Sequence, residues 1–315
     1  MTAAPRIAPE AVSFASPTEL RNPRTVEIDR LDTLDVLRMI NEEDSTVANA
    51  VAAVLPQLAR AVDYAVASLR AGHRVHYVGA GTSGRLGALD AAELLPTFAL
   101  EPGRVVAHIA GGPAAMLRAV EEVEDDPAAG RADLAGVEPG DLVIGLAASG
   151  RTPYVIGALA AATEVGAATV LISANPQSEY RDSVDVNVAL NTGPEVIAGS
   201  TRMKAGTAQK LALNAFSTAV MIRLGRTYSN LMVHVAATND KLRGRLIRVL
   251  VQATGLSESV CTQALEDSDG EVKTALVVLL TGSPVKASRD ALAAAHGVVR
   301  DAISAVDTAH PVEGH

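Results

Sequence analysis

In the stretch VHYVGAGTSGRLGALD, residues 75–90, Gly79, Gly81 and Gly84 stand in the order G-x-G-x-x-G behind an apolar run. Glycines so spaced let a chain turn tightly after a strand and bring backbone N–H groups against a phosphate. Two chemistries fit such a loop. A dinucleotide site demands an Asp or Glu about 20 residues on, at the end of the second strand, to grip a ribose. Here that strand ends His108-Ile109-Ala110-Gly111-Gly112, and Glu101, at about the right separation, precedes the strand. The demand is not met. The other chemistry is a loop for a different phosphate, and a second loop supports it. The apolar segment DLVIGL (141–146) runs into AASGRTP (147–153), so Ser-Gly-Arg twice follows a strand and opens a helix. Hydroxyls and free N–H groups at a helix start form an anion site that the helix dipole favours. The candidate contacts are Gly81, Thr82 and Ser83 from the first loop, with Ser149, Gly150 and Thr152 from the second. The plainer reading makes both loops tight turns with serine caps.

A third segment, GPEVIAGSTRMKAGTAQK (193–210), adds charge. Gly199-Ser200-Thr201 reads as a helix cap, with Arg202, Lys204 and Lys210 clustered on the helix it opens. Glu195 lies in a loop bounded by glycine and proline, where no capping duty is visible. Glu195 and Ser200 join the candidate binding residues, and the three segments together point to a sugar-phosphate pocket.

These loops need a frame to hold them. Short apolar strands are expected at 75–78, 104–109, 141–146, 168–173 and 185–189, with helical runs at 84–95, 113–123, 153–165 and 200–224. This alternation predicts an α/β fold, a doubly wound parallel sheet with helices on both faces, whose ligands sit at the carboxyl ends of the strands. Before it, a proline-bearing arm leads to helices at 28–39 and 45–69, the second interrupted near Pro56. Beyond residue 240 strand signals stop. Residues 253–282 predict three short helices with turns at Gly255 and Gly270, similar in spacing to a ubiquitin-associated module. The division expected is an arm and helices over 1–64, a phosphosugar-binding domain over 65–228 and a C-terminal helical region over 229–315.

Composition narrows the function. With 36 acidic against 27 basic residues and no tryptophan, the chain has neither the charge nor the stacking surfaces for nucleic acid. Cys261 is the only cysteine and no H-x-x-x-H pair occurs, so no metal site is expected. No signal peptide and no apolar run near the roughly 18 residues of a bilayer span is evident. A cytoplasmic protein without membrane contact is expected. His108, inside a strand, reads as a core residue and Cys261 as a small buried hydrophobe; His234 is a candidate pocket residue.

Residues 193–210 resemble the signature shared by N-acetylmuramic acid 6-phosphate etherases and the glucokinase regulatory protein, whose phosphosugar-binding domains are of the sugar isomerase (SIS) type. GAGTSGRLGALDAAELLPTF (79–98), IAGGPAAMLRAVEEVEDD (109–126), GLAASGRTPYV (145–155), NLMVHVAATNDKL (230–242) and the segment 18–44 are similar to the etherases in particular. The pattern departs at Leu94-Leu95, where the etherases commonly carry Cys-Pro, and at His234, where they carry Asp. It departs again at Glu121–Asp125, where they read Glu-Gly-Ala-Glu-Asp. The resemblance implies a carbon–oxygen lyase of cell-wall sugar recycling that releases D-lactate from the sugar's C3 ether, leaving N-acetylglucosamine 6-phosphate. It implies Glu93 and Glu124 as the acid/base pair, and two carboxyls need neither metal nor redox cofactor. Pro96 is expected to end its helix nearby, so Glu93 lies near a helix C-terminus, which favours its protonated form and the role of acid. Glu93 also lies ten residues beyond Ser83, about 15 Å along a helix axis. That distance leaves two arrangements: the phosphate is held mainly by the 147–153 loop, or Glu93 serves a site in a partner subunit, which implies a homodimer with sites built from both chains. Two other readings stand beside this one: a non-catalytic sugar-phosphate sensor and a phosphosugar isomerase.

Overall fold

The computed structural model describes residues 16–233 and 240–309. Its centre is a five-stranded parallel sheet of β1 (Val75–Gly79), β2 (Val105–Ile109), β3 (Leu142–Leu146), β4 (Ala168–Ser173) and β5 (Val186–Ala189), in the order β2-β1-β3-β4-β5. The apolar runs are unbroken because both faces are covered. On β3, Leu142, Ile144 and Leu146 point into one core, while Val143 points into the other. The first core is roofed by α3 (Leu55–Arg70), α4 (Gly81–Phe98) and α7 (Lys204–Arg223), which contribute Leu58, Leu94, Leu213 and Phe216. The second is closed by α5 (Pro127–Asp133) and α6 (Pro153–Val165), through Leu134, Tyr154 and Leu159. This is the doubly wound sandwich the alternation predicts.

Two shorter helices, α1 (Thr33–Asp44) and α2 (Val47–Ala52), precede α3. The break expected near Pro56 falls before α3, whose first turn holds that proline without losing a helical hydrogen bond. After α7 a small hairpin pairs β6 (Thr227–Tyr228) with β7 (Leu231–Met232). The C-terminal region then carries five described helices: α8 (Asp240–Thr254), α9 (Glu258–Asp267), α10 (Val272–Thr281), α11 (Val285–Ala294) and α12 (Val299–Ala309). Their shared core contains Leu250, Cys261, Leu276 and Val299, with Cys261 fully buried as expected. No single described helix is long and apolar enough to cross a membrane.

Two expected elements differ. Residues 113–123 do not form an α-helix. Gly111 and Gly112 adopt φ of 83° and 67°, a short 3-10 turn covers Gly112–Met116, and Glu122 lies in the left-handed region at φ 64°. Nor does Pro96 end its helix: α4 runs through it to Phe98 and stops at left-handed Ala99. Glu93 therefore sits more than one turn before the end, outside the reach of the helix-terminus effect invoked for its protonation.

Candidate functional site

The chain leaves β1 toward β2 on one side of the sheet and returns through β3 toward β4 and β5 on the other. Beyond the carboxyl ends of β1 and β3 the following loops diverge, and a crevice opens between them. Both loops expected to bind phosphate lie there. In the first, the third glycine packs the helix onto the strand, since a Cβ on Gly84 would stand 2.6 Å from the Gly79 carbonyl oxygen. Ala80 precedes α4 without a side-chain cap, so the N–H groups of Gly81, Thr82 and Ser83 open the helix.

The second loop is braced from behind. Ser149 Oγ accepts from the Arg151 N–H at 3.3 Å, and the Ser149 carbonyl accepts from Asn175 Nδ2 at 3.0 Å. Gly150 has φ 70°, and a Cβ there would meet Ser178 Cβ at 2.7 Å, while Ser178 Oγ donates to the Gly150 carbonyl at 2.6 Å. Thr152 stands at the N-cap of α6 with no side-chain capping bond. Asn175 and Ser178 were not among the expected site residues. Their signal was the Asn-Pro turn after β4, in the run SANPQS.

Ser83 behaves differently from Ser149. It is buried, and its Oγ donates to Gln209 Oε1 of α7 at 2.8 Å. The Gln209 amide nitrogen faces the Ile172 carbonyl at 3.4 Å, which turns the amide oxygen toward Ser83. What Ser83 brings to the crevice is its backbone N–H, with the hydroxyl proton engaged inside.

The third segment is organised around Glu195. This residue is fully buried, and its two carboxylate oxygens accept from the N–H groups of Lys204 and Ala205, each at 2.9 Å. Glu195 thus caps α7 from nine residues upstream, a duty the local sequence did not reveal. The Ser200 and Thr201 side chains do not cap the helix; the Gly206 N–H goes to the Thr201 carbonyl. Burial raises the Glu195 carboxyl above its ordinary range, against the lowering pull of the two N–H donors and Lys204. The expected cluster of Arg202, Lys204 and Lys210 does not form. Arg202 is exposed, Lys210 donates to Asn214, and Lys204 turns inward to Glu43 of α1 at 2.7 Å. Burial works to raise the Glu43 carboxyl, but Lys204, Asn22 and Arg24 outweigh it and hold it below its usual range. The arm reaches the same place: Thr25 donates to the Val196 carbonyl at 2.7 Å, and Gly199 N–H donates to the Thr18 carbonyl at 2.9 Å.

Glu93 lies on the exposed side of α4, in one stripe with Leu89, Ala92 and Pro96. Glu124 is exposed in a 3-10 turn, Val123–Asp125, after β2. Both are accessible on elements that flank the crevice strands. Ser83 and Glu93 share one continuous helix, so the separation of about 15 Å stands. His234 lies outside the described residues. His108 is not simple core: its Nε2 is 3.0 Å from His76 Nδ1, and His76 Nε2 is 3.3 Å from Asp141 Oδ2. Burial, then His76, brings the His108 imidazole down to about 4.

Residues 57–163 match the glucokinase regulatory protein N-terminal SIS domain, and residues 114–219 match the SIS domain. An N-acetylmuramic acid 6-phosphate etherase from Thermobifida fusca (strain YX) is 63% identical over 84% of this chain and 88% of its own length. Its counterpart from Pectobacterium atrosepticum is 53% identical over 91% of this chain and 95% of its own. That from Brucella anthropi is 51% identical, over 91% and 94%.

Proposed function

We infer the reaction from one premise: the chain belongs to the N-acetylmuramic acid 6-phosphate etherase family. It is a carbon–oxygen lyase that cleaves the D-lactyl ether at C3 of N-acetylmuramic acid 6-phosphate, giving N-acetylglucosamine 6-phosphate and D-lactate. The identity of 63% with a named etherase carries this conclusion. In the ring-opened sugar the C1 aldehyde acidifies the C2 proton. A carboxylate removes that proton, the lactyl oxygen leaves as it is protonated, and water then adds across the alkene at C3. Incubation with N-acetylmuramic acid 6-phosphate should release D-lactate in step with N-acetylglucosamine 6-phosphate. A bound substrate without lactate would mark a sensor, and an aldose–ketose product an isomerase.

The site is our assignment. The phosphate rests between the starts of α4 and α6, on the N–H groups of Gly81, Thr82 and Ser83 and on Ser149, Gly150 and Thr152. Ser200 lies on the neighbouring loop, within the same rim, and Glu195 serves by holding the α7 start in place. Glu93 and Glu124 form the acid/base pair. With Glu93 more than one turn before the helix end, the helix-end argument for its being the acid falls away, and the likeness to the family gives the pair without dividing its roles. Deuterium exchange at C2 decides it: Glu93→Gln should retain exchange while releasing little lactate, and Glu124→Gln should lose both.

The enzyme acts as a homodimer with composite sites. What supports this is the distance of Glu93 from the α4 start and the apolar stripe it shares, where Leu89 is 43% exposed. Mixing Glu93→Gln chains with chains carrying Ser149→Ala and Thr152→Ala should restore activity through hybrid sites. Subunit exchange without any restoration contradicts the shared site. A cytoplasmic location belongs to the same reading.

A further inference from the structure

Where the end of α4 and the β6–β7 hairpin meet the C-terminal helices, the described residues line an open cavity of about 620 Å³. That volume falls within the range that holds small organic ligands. Ala99, Val233, Val272 and Leu292 give it apolar walls, and Lys273 reaches in among them. Among the described residues, the Lys273 amine has one hydrogen bond, to the Gly297 carbonyl at 2.8 Å. A lysine is rarely drawn out of water without a carboxylate partner. The acids at the rim are engaged elsewhere. Glu271 accepts from Arg289 Nε at 2.9 Å and Thr274 Oγ1 at 2.7 Å, and Asp269 accepts from Arg289 Nη2 at 2.9 Å. Arg226, 14% exposed, donates to the Ala99 carbonyl at the cavity edge and to Glu101, each at 3.3 Å. Burial, then Arg226, lowers the Lys273 amine to about 8. Among the residues that line the cavity, Lys273 and Arg289 stand against the single acid Glu271, which Arg289 already holds.

We propose that this cavity is a second ligand site, for a small monocarboxylate with an apolar body whose acid group pairs with Lys273. None of its lining residues belongs to the phosphate crevice or the acid/base pair. A single amine with one hydrogen bond already made suits one carboxylate, and the aliphatic walls suit a hydrocarbon chain. Ala99 also closes α4, the helix that carries Glu93, so an occupant touches the end of a catalytic element.

Octanoate serves as the probe, titrated calorimetrically into the full chain. We expect saturable binding of one octanoate per chain, with 1-octanol at least roughly 10-fold weaker, as loss of a charged hydrogen bond implies. Lys273→Met should weaken octanoate by a similar factor and leave 1-octanol unchanged. Ala293→Trp, at an exposed position on the cavity rim, should block both by filling the space. Should Lys273→Met fail to fold, the octanol comparison and Ala293→Trp carry the decision. No saturable binding by the unaltered chain, or octanoate binding indifferent to these changes, overturns the proposal.

Discussion

Three helices begin around one crevice, and they begin in two ways. At α7 the first four N–H groups are satisfied from within: Lys204 and Ala205 by Glu195, Gly206 by the Thr201 carbonyl and Thr207 by the Met203 carbonyl. At α4 and α6 no side chain caps the start. A buried helix start carries orphan donors and a partial positive charge that something must answer. In α7 a resident carboxylate answers; at α4 and α6 no side chain does, which is where the proposed phosphate would sit. The difference supports the proposed place of the anion. The segment richest in signature residues carries an internal anchor, Glu195, and the proposed phosphate site lies at the two starts that lack an internal acid.

The largest effect should come from exposing the filled start. Glu195→Ala leaves two buried N–H groups and the Lys204–Glu43 pair without their third member. Urea unfolding should show a loss of about 3 kcal/mol or more. A loss below about 1 kcal/mol would mean that α7 does not need its cap. Next, the open start of α6 should show itself in binding. Removing the hydroxyls of Ser149 and Thr152 together should raise KM roughly 30-fold with kcat nearly unchanged, as expected for contacts made equally in ground and transition states. An unchanged KM would break the comparison. A smaller effect separates the two serines. Ser83→Ala removes an internal bond to Gln209, so it should cost about 1 kcal/mol of stability and raise KM only a few-fold. A KM rise equal to that of the double variant would return the Ser83 hydroxyl to the phosphate.

The opposite end of the sheet supplies a control that should leave the crevice alone. The Asp141 carboxylate can only accept, so His76 donates from Nε2 and accepts at Nδ1 the hydrogen bond that His108 Nε2–H donates. Because burial depresses the folded His108 value to about 4, the unfolded chain binds more protons below its own value of about 6.5. Stability from this group is full above pH about 6.5 and should fall as the pH drops through that window toward 4. His108→Asn should flatten that part of the unfolding profile while leaving KM unchanged at neutral pH.

The sheet was legible because each strand is a short apolar run buried on both faces, bounded by turns, as in LVIGL and ATVLIS. The two phosphate loops were legible for the same reason, since they hang on strand ends. Elements decided by longer-range contacts were not. Glu195 looked idle because its partners lie nine residues on and are backbone groups, which a local cap pattern does not register. Lys204 looked like surface charge because its partner, Glu43, stands 161 positions away. The helix expected at 113–123 yielded to Gly111 and Gly112, whose left-handed backbone redirects the chain before any helical periodicity can act. Pro96 was read as a stop, yet α4 continues through it with its carbonyl ladder one bond short.

A crystal structure with N-acetylglucosamine 6-phosphate bound tests the central claim most directly. The account predicts phosphate oxygens within hydrogen-bonding distance of the N–H groups of Gly81 to Ser83 and of Ser149 and Thr152, with Glu195 still capping α7. A phosphate seated on the α7 start, with the Glu195 carboxylate displaced, would contradict it.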